Sequence, residues 1–244
     1  MTGDAPVCWA IVPAAGVGRR MGSEAPKQYL LLQGQTILDR TIGRLLEVPQ
    51  IRQLRVVVSA DDGWWGASLF SADSRVVRVT GGAERCHSVL NALHALSTTA
   101  SADDWVLVHD AARPCVRPAD IGRLIAALSG HSVGGLLAVP LHDTIKQATS
   151  EGRVQATLPR ETLWRAYTPQ MFRLGELTQA LKQALGAGQR VTDEASAMEL
   201  AGWQPLLVEG AADNIKITRP EDLELAAFYL QRQRAEGRGP RAKE

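Results

Sequence analysis

The sequence predicts an α/β fold with a mostly parallel sheet covered by helices on both faces, and three observations support this. Short aliphatic or β-branched runs alternate with segments of helical periodicity, the pattern of strands buried by crossover helices. A glycine-containing turn, AAGVG at 14–18, directly follows the first apolar run. An aspartate, Asp110, closes another apolar run, VLVHD, at the carboxyl end of a strand, where open α/β sheets bind ligands.

In chain order, strands are expected at Val7–Val12, Leu54–Val58, Val76–Val79, Trp105–Val108 and Gly135–Val139. Between them the apolar spacing predicts helices over Ile37–Leu46, Asp62–Phe70, Glu84–Leu96 and Pro118–Leu128. In the third of these, Val89, Leu93 and Leu96 form one stripe, and the preceding Gly81 and Gly82 are free to take positive φ near a ligand. The segment Asp143–Leu158 breaks the alternation: two polar halves flank a turn at Ser150–Arg153, as a projecting hairpin or as an irregular surface loop. Beyond it come a helix over Leu174–Leu185, another starting near Thr192 or Asp193, a strand at Pro205–Val208 and the run NIKIT. RPEDLELAAFYL opens a closing helix, with Pro220, Glu221 and Asp222 suited to its first turn.

Composition narrows the function classes. A chain of 244 residues, 45% hydrophobic and 22% charged, suits one globular domain over 1–230. The tail at 231–244 reads as flexible and solvated. Lys and Arg total 27 against 26 Asp and Glu, so no broad basic face for nucleic acid is expected. No apolar run is long enough to span a membrane, and Cys8, Cys86 and Cys115 show no CxxC pair. A cytoplasmic location, without nucleic-acid or membrane partners, is the expectation.

The glycine turn does not match the common nucleotide fingerprints. In G-x-G-x-x-G the third glycine would be Met21, and GxxxxGKS/T is absent, which disfavours a dehydrogenase and a P-loop ATPase. What remains is a small-residue turn followed by Arg20 and Lys27, cations able to converge on one phosphate group. Phosphoryl and nucleotidyl transfer need mainly positioning and charge neutralisation, which such a pair supplies. Asp110 can contact substrate or a divalent cation, or pair structurally with Arg113 three residues on. Lys216, between Ile215 and Ile217, is either an inward strand lysine needing an anionic partner or a solvent-facing edge lysine. None of the five histidines shows a spacing that suggests zinc, and His109 is expected to support Asp110.

The motifs PAAGVGRRM, PKQY, GGAERCHSV, HDAARP, DTIK, TPQ, TDEASAME and ADNIKIT occur in order along nearly the whole chain. Together they resemble the 2-C-methyl-D-erythritol 4-phosphate cytidylyltransferases of the non-mevalonate isoprenoid pathway. The resemblance implies a Rossmann-like three-layer sandwich of the nucleotidyltransferase type, with a β-arm at about 141–160 that joins a homodimer. It implies CTP and methylerythritol phosphate as substrates and Mg²⁺ bound with CTP. Arg20, Lys27 and Lys216 are then the catalytic cations, and Ala14, Ala15, Gly16, Gly82 and Ser88 the cytidine pocket. Asp110, Arg113, Thr144 and Lys216 would bind methylerythritol phosphate, joined by Arg160, Thr168 and Thr192 of a neighbouring subunit, with Asp110 also a metal contact. Ala83 stands where the family pattern suggests a polar residue. The rival readings are a nucleotidyltransferase with another acceptor and a catalytically silent nucleotide-binding module.

Overall fold

Alternation along the first strand builds the layers. In a computed structural model, which describes residues 6–16 and 25–237, β1 (Cys8–Pro13) turns Ala10 and Val12 to one face and Trp9 and Ile11 to the other. A two-stranded hairpin, β2 (Leu31–Leu32) with β3 (Gln35–Thr36), leads into α1 (Ile37–Leu46), where the Thr36 hydroxyl accepts from Asp39 N at 3.0 Å. Then follow β4 (Ile51–Val58), β5 (Val76–Thr80), α2 (Arg85–Leu96), β6 (Trp105–Val108), α3 (Pro118–Leu128) and β7 (Gly134–Pro140). The arm, β8 (Ile145–Ala148) with β9 (Val154–Leu158), precedes β10 (Trp164–Arg173), α4 (Leu174–Gly186), α5 (Glu194–Leu200), β11 (Leu206–Glu209) and α6 (Glu221–Gly237).

The main sheet has the order β11-β7-β10-β6-β1-β4-β5, parallel except where β10 runs antiparallel between β6 and β7. Residues of α1 and α3 pack with one set of strand side chains, and those of α2, α4 and α5 with the other. The expected three-layer α/β arrangement is therefore present. From β1 the chain builds outward through β4 and β5, then crosses back to β6 on the other side of β1. That reversal opens a crevice at the carboxyl ends of β1 and β6.

Several elements differ from the sequence reading. Asp62–Phe70 is not a helix: Asp62 Oδ1 accepts from the N–H groups of Trp64 and Trp65 at 3.0 and 2.8 Å, and only Trp65–Ala67 forms a 3₁₀ turn. The long strand β10 has no counterpart in the reading, because Pro169 interrupts its pattern. Its pairing shifts between Ala166 and Gln170, and the proline sits in that break. NIKIT is not a strand; Ile217 N donates to Ala112 O at 2.9 Å and buries its side chain beneath α6. The helix α6 extends to Gly237, past the expected boundary at 231, because polar pairs continue it. Gln233 Nε2 reaches Cys115 O at 2.8 Å and Arg117 pairs with Glu236 at 2.8 Å.

Candidate active site

The crevice holds a cavity of about 240 Å³, and eight of the expected site residues line it: Ala14, Ala15, Gly16, Lys27, Gly82, Ser88, Asp110 and Lys216. They come from five separate segments, so only the sheet topology unites them. Ala14 continues the β1 ladder, donating to Val57 O at 2.7 Å, and Gln28 Nε2 holds its carbonyl at 2.6 Å. Lys27 begins a 3₁₀ turn over Lys27–Tyr29, which Tyr29 anchors by donating its hydroxyl to Asp62 at 2.9 Å. A buried glutamine and a buried tyrosine thus fix the lysine's backbone.

Gly81 and Gly82 do not adopt the expected positive φ. They are required for close approach: a Cβ on Gly82 would lie 2.5 Å from His87 Cβ, and one on Gly81 the same distance from Ala15 Cβ. The Ser88 hydroxyl accepts from Gly82 N and donates to Glu84 O, both at 3.1 Å, so it shapes the loop it stands beneath. Gly82→Ala is expected to displace this loop and weaken binding of the ligand that the cleft receives by roughly tenfold, while the thermal midpoint shifts by a few degrees; ligand titration and calorimetry check both.

Asp110 is the electrostatic centre. Its Oδ1 receives Arg85 Nε at 3.1 Å, and its Oδ2 receives Lys216 Nζ at 2.9 Å and Arg113 Nε at 3.4 Å. Burial pushes its carboxyl upward, but Arg85, Lys216 and Arg113 outweigh that and hold it well below the usual carboxylate range. Arg85 also forks onto Glu194, which is 1% exposed, with bonds of 2.7 and 3.0 Å. Burial lowers the Arg85 pKa and the carboxylates of Glu194 and Asp110 raise it, with a net rise, so the guanidinium is permanently charged. Lys216 is 41% exposed on its side chain, so the expected partner is present without a buried strand.

With both oxygens of Asp110 held by three cations, this arrangement does not fit the expected metal contact. A divalent ion would have to displace one of those cations.

Behind the carboxylate lies a second tier. Arg113 donates to Asn214 O at 2.8 Å and stacks on Tyr167, 4.6 Å from the ring centroid. Thr168, 4% exposed, accepts from Asp110 N at 3.1 Å and lies 2.9 Å from His109 Nδ1. His109 Nε2 lies 3.1 Å from Arg113 O. Full burial pushes the His109 pKa down from 6.5 to about 4, so the ring is neutral, donating from Nε2 and accepting at Nδ1.

Because the unfolded chain takes up this proton near pH 6.5 and the fold resists until about 4, His109 makes stability fall with pH within that window. The loss attributable to His109 is expected to reach roughly 3 kcal/mol at its lower end. Urea unfolding between pH 7 and 4 should show a flatter dependence in His109→Gln; an unchanged slope would refute the assignment.

Thr144, Arg160 and Thr192 do not line the cleft; all three are exposed. Arg160 Nη1 donates to His142 O at the base of the arm. Thr192 is not the cap of α5: Asp193 is, in a capping box with Ser196. Arg20 lies outside the described residues.

Gln28, Arg85, Gln170, Glu194 and Asn214 hold places in the site that the sequence alone does not reveal. Gln170 Oε1 accepts from Ala195 N at 2.7 Å while its Nε2 donates to Asp193 at 2.8 Å, and Asn214 Nδ2 reaches Thr168 O at 2.8 Å. Each lies inside a motif already noted, so the available signal was a buried-type polar residue within a functional motif. Their partners, 14 to 109 residues away, were not legible.

Known proteins match the chain along most of its length. The family model of 2-C-methyl-D-erythritol 4-phosphate cytidylyltransferase matches residues 8–232. The enzyme of that name from Pseudomonas aeruginosa is 55% identical over 91% of this chain and 95% of its own, and that from Pseudomonas syringae 51% over 97% and 99%. The crystal structure of the Francisella tularensis enzyme of the same name is 41% identical with a TM-score of 0.78, covering 91% of this chain and 99% of that one. Sheet order, the motif residues gathered at the switch-point cleft and these matches agree: the chain belongs to the 2-C-methyl-D-erythritol 4-phosphate cytidylyltransferase family.

Proposed function

We infer that this cleft is where the enzyme transfers the cytidylyl group of CTP to 2-C-methyl-D-erythritol 4-phosphate. The products are 4-diphosphocytidyl-2-C-methyl-D-erythritol and pyrophosphate. The convergence of Ala14–Gly16, Gly82, Lys27, Asp110 and Lys216 on one cavity is the observation that supports this most strongly.

In this reading the backbone of Ala14–Gly16 and of Gly82 receives cytosine and ribose, with Ser88 holding the loop from below. A phosphate oxygen of the acceptor attacks the α-phosphorus, a new P–O bond forms, and the bond to the β-phosphate oxygen breaks in line. The acceptor monoester is already largely dianionic near neutral pH, so no general base is required. Lys27, together with Arg20, neutralises charge developing on the α-phosphate. Lys216 and Arg85, steered by Asp110, present their positive charge to the acceptor phosphate, while Arg113, His109 and Thr168 position Asp110. Mg²⁺ bound with CTP would supply further neutralisation of the phosphate charge, and with Asp110 held by three cations no carboxylate of the chain is assigned to it.

Thr144 sits at the base of the arm, next to the cleft-bearing body in sequence. Arg160 and Thr192 complete the acceptor site across a homodimer; their exposure outside the cleft of their own chain and the polar, projecting β8–β9 arm support this. Thr168, expected from the neighbour, is better used within its own chain, where its hydroxyl is already occupied. Three buried, unpaired cysteines suit a reducing, cytoplasmic setting.

The test is pyrophosphate release with Mg²⁺, each nucleoside triphosphate and the acceptor. Release that requires both CTP and methylerythritol phosphate supports the reading. Equal release without the acceptor, or with a hexose phosphate, overturns it.

A further inference from the structure

At the start of α2, at the rim of the nucleotide cleft, three different donor groups that have no part in the transfer converge. Cys86 Sγ lies 3.7 Å from Glu84 Oε2 and 3.9 Å from His87 Nδ1, and the three donor atoms all fall within 4.8 Å of one another. Around a tetrahedral ion, with metal–sulfur about 2.3 Å and metal–nitrogen or metal–oxygen about 2.0–2.1 Å, ligand atoms stand about 3.3–3.6 Å apart. Small side-chain rotations close the difference.

Burial is graded as such a site needs. Cys86 is 5% exposed, His87 half-buried and Glu84 open to solvent, which leaves a face for water as fourth ligand. Glu84 occupies the N-cap position yet makes no side-chain capping bond, so the helix does not compete for its carboxylate. Thiolate and imidazole select a borderline-soft ion over Mg²⁺, which prefers an all-oxygen octahedron.

We propose that Glu84, Cys86 and His87 bind a divalent cation of the Zn²⁺ class, distinct from the magnesium that accompanies the nucleotide. Binding releases the thiol proton to water and leaves the thiolate on the metal. The ion ties down the loop that shapes the cleft, since Glu84 lines the cavity and its carbonyl holds Ser88, which in turn holds Gly82. Occupancy therefore slows turnover.

The test is titration of the purified chain with Co²⁺ as a spectroscopic substitute. One equivalent is expected, with visible bands of a tetrahedral ion and a near-ultraviolet thiolate-to-cobalt band. That thiolate band should vanish in Cys86→Ser, and affinity should fall at least tenfold in His87→Ala, with both variants remaining folded and keeping metal-free turnover. Cys8 and Cys115, both fully buried, contribute nothing. The Zn²⁺ concentration that fills the site should slow pyrophosphate release by the wild type and spare Cys86→Ser. Identical cobalt spectra in wild type and Cys86→Ser, no saturable binding, or full occupancy with unchanged turnover would each overturn the proposal.

Discussion

Lys27→Ala is expected to lower kcat by roughly 10²- to 10³-fold while KM for CTP changes little. The expectation follows from where the lysine sits. Its 3₁₀ turn is fastened on both sides, by Gln28 to Ala14 and by Tyr29 to Asp62, so the ammonium is brought to the cleft without a large ordering cost at the moment of reaction. A charge placed this way acts most on the state in which negative charge accumulates. Steady-state kinetics of pyrophosphate release check it, with Lys27→Arg retaining part of the rate because the charge survives in a different geometry. A loss confined to KM would reassign Lys27 to ground-state binding.

The second large effect concerns a residue that the sequence did not flag. Arg85→Ala should cost roughly 3–5 kcal/mol of stability, because it strands Glu194, 1% exposed, as an unpaired buried carboxylate. It also takes one of three cations from Asp110, so the acceptor end of the cleft loses both charge and alignment. Chemical denaturation should show an earlier midpoint, and kcat/KM for methylerythritol phosphate should fall at least a hundredfold. Removing the stranded charge as well, in Arg85→Ala with Glu194→Gln, should recover stability without recovering activity. If the double variant regains activity, Arg85 is only structural.

The legibility of this chain in its sequence differs by element for physical reasons. The parallel strands were readable because burial on both faces demands uninterrupted apolar runs, as in WVLV of β6. The strand β10 was not, because Pro169 sits in a pairing break that only the partner strands β6 and β7 reveal. Lys27, Asp110 and Lys216 were visible as charges in the wrong local company. Arg85 was hidden, since an arginine in the first turn of a helix is unremarkable until Asp110 and Glu194 are seen on either side of it. The three-way cluster of Glu84, Cys86 and His87 escaped for the opposite reason: sequential neighbours rarely chelate, and only the side-chain geometry at the helix start brings them together.

A crystal structure of the enzyme with CTP, Mg²⁺ and the acceptor phosphate decides whether this cleft is where transfer occurs. Cytosine is expected against Ala14–Gly16 and Gly82, the α-phosphate within hydrogen-bonding reach of Lys27 Nζ, and the acceptor phosphate beside Lys216. A nucleotide seated away from the carboxyl ends of β1 and β6, or a Lys27 ammonium directed into solvent, would contradict it.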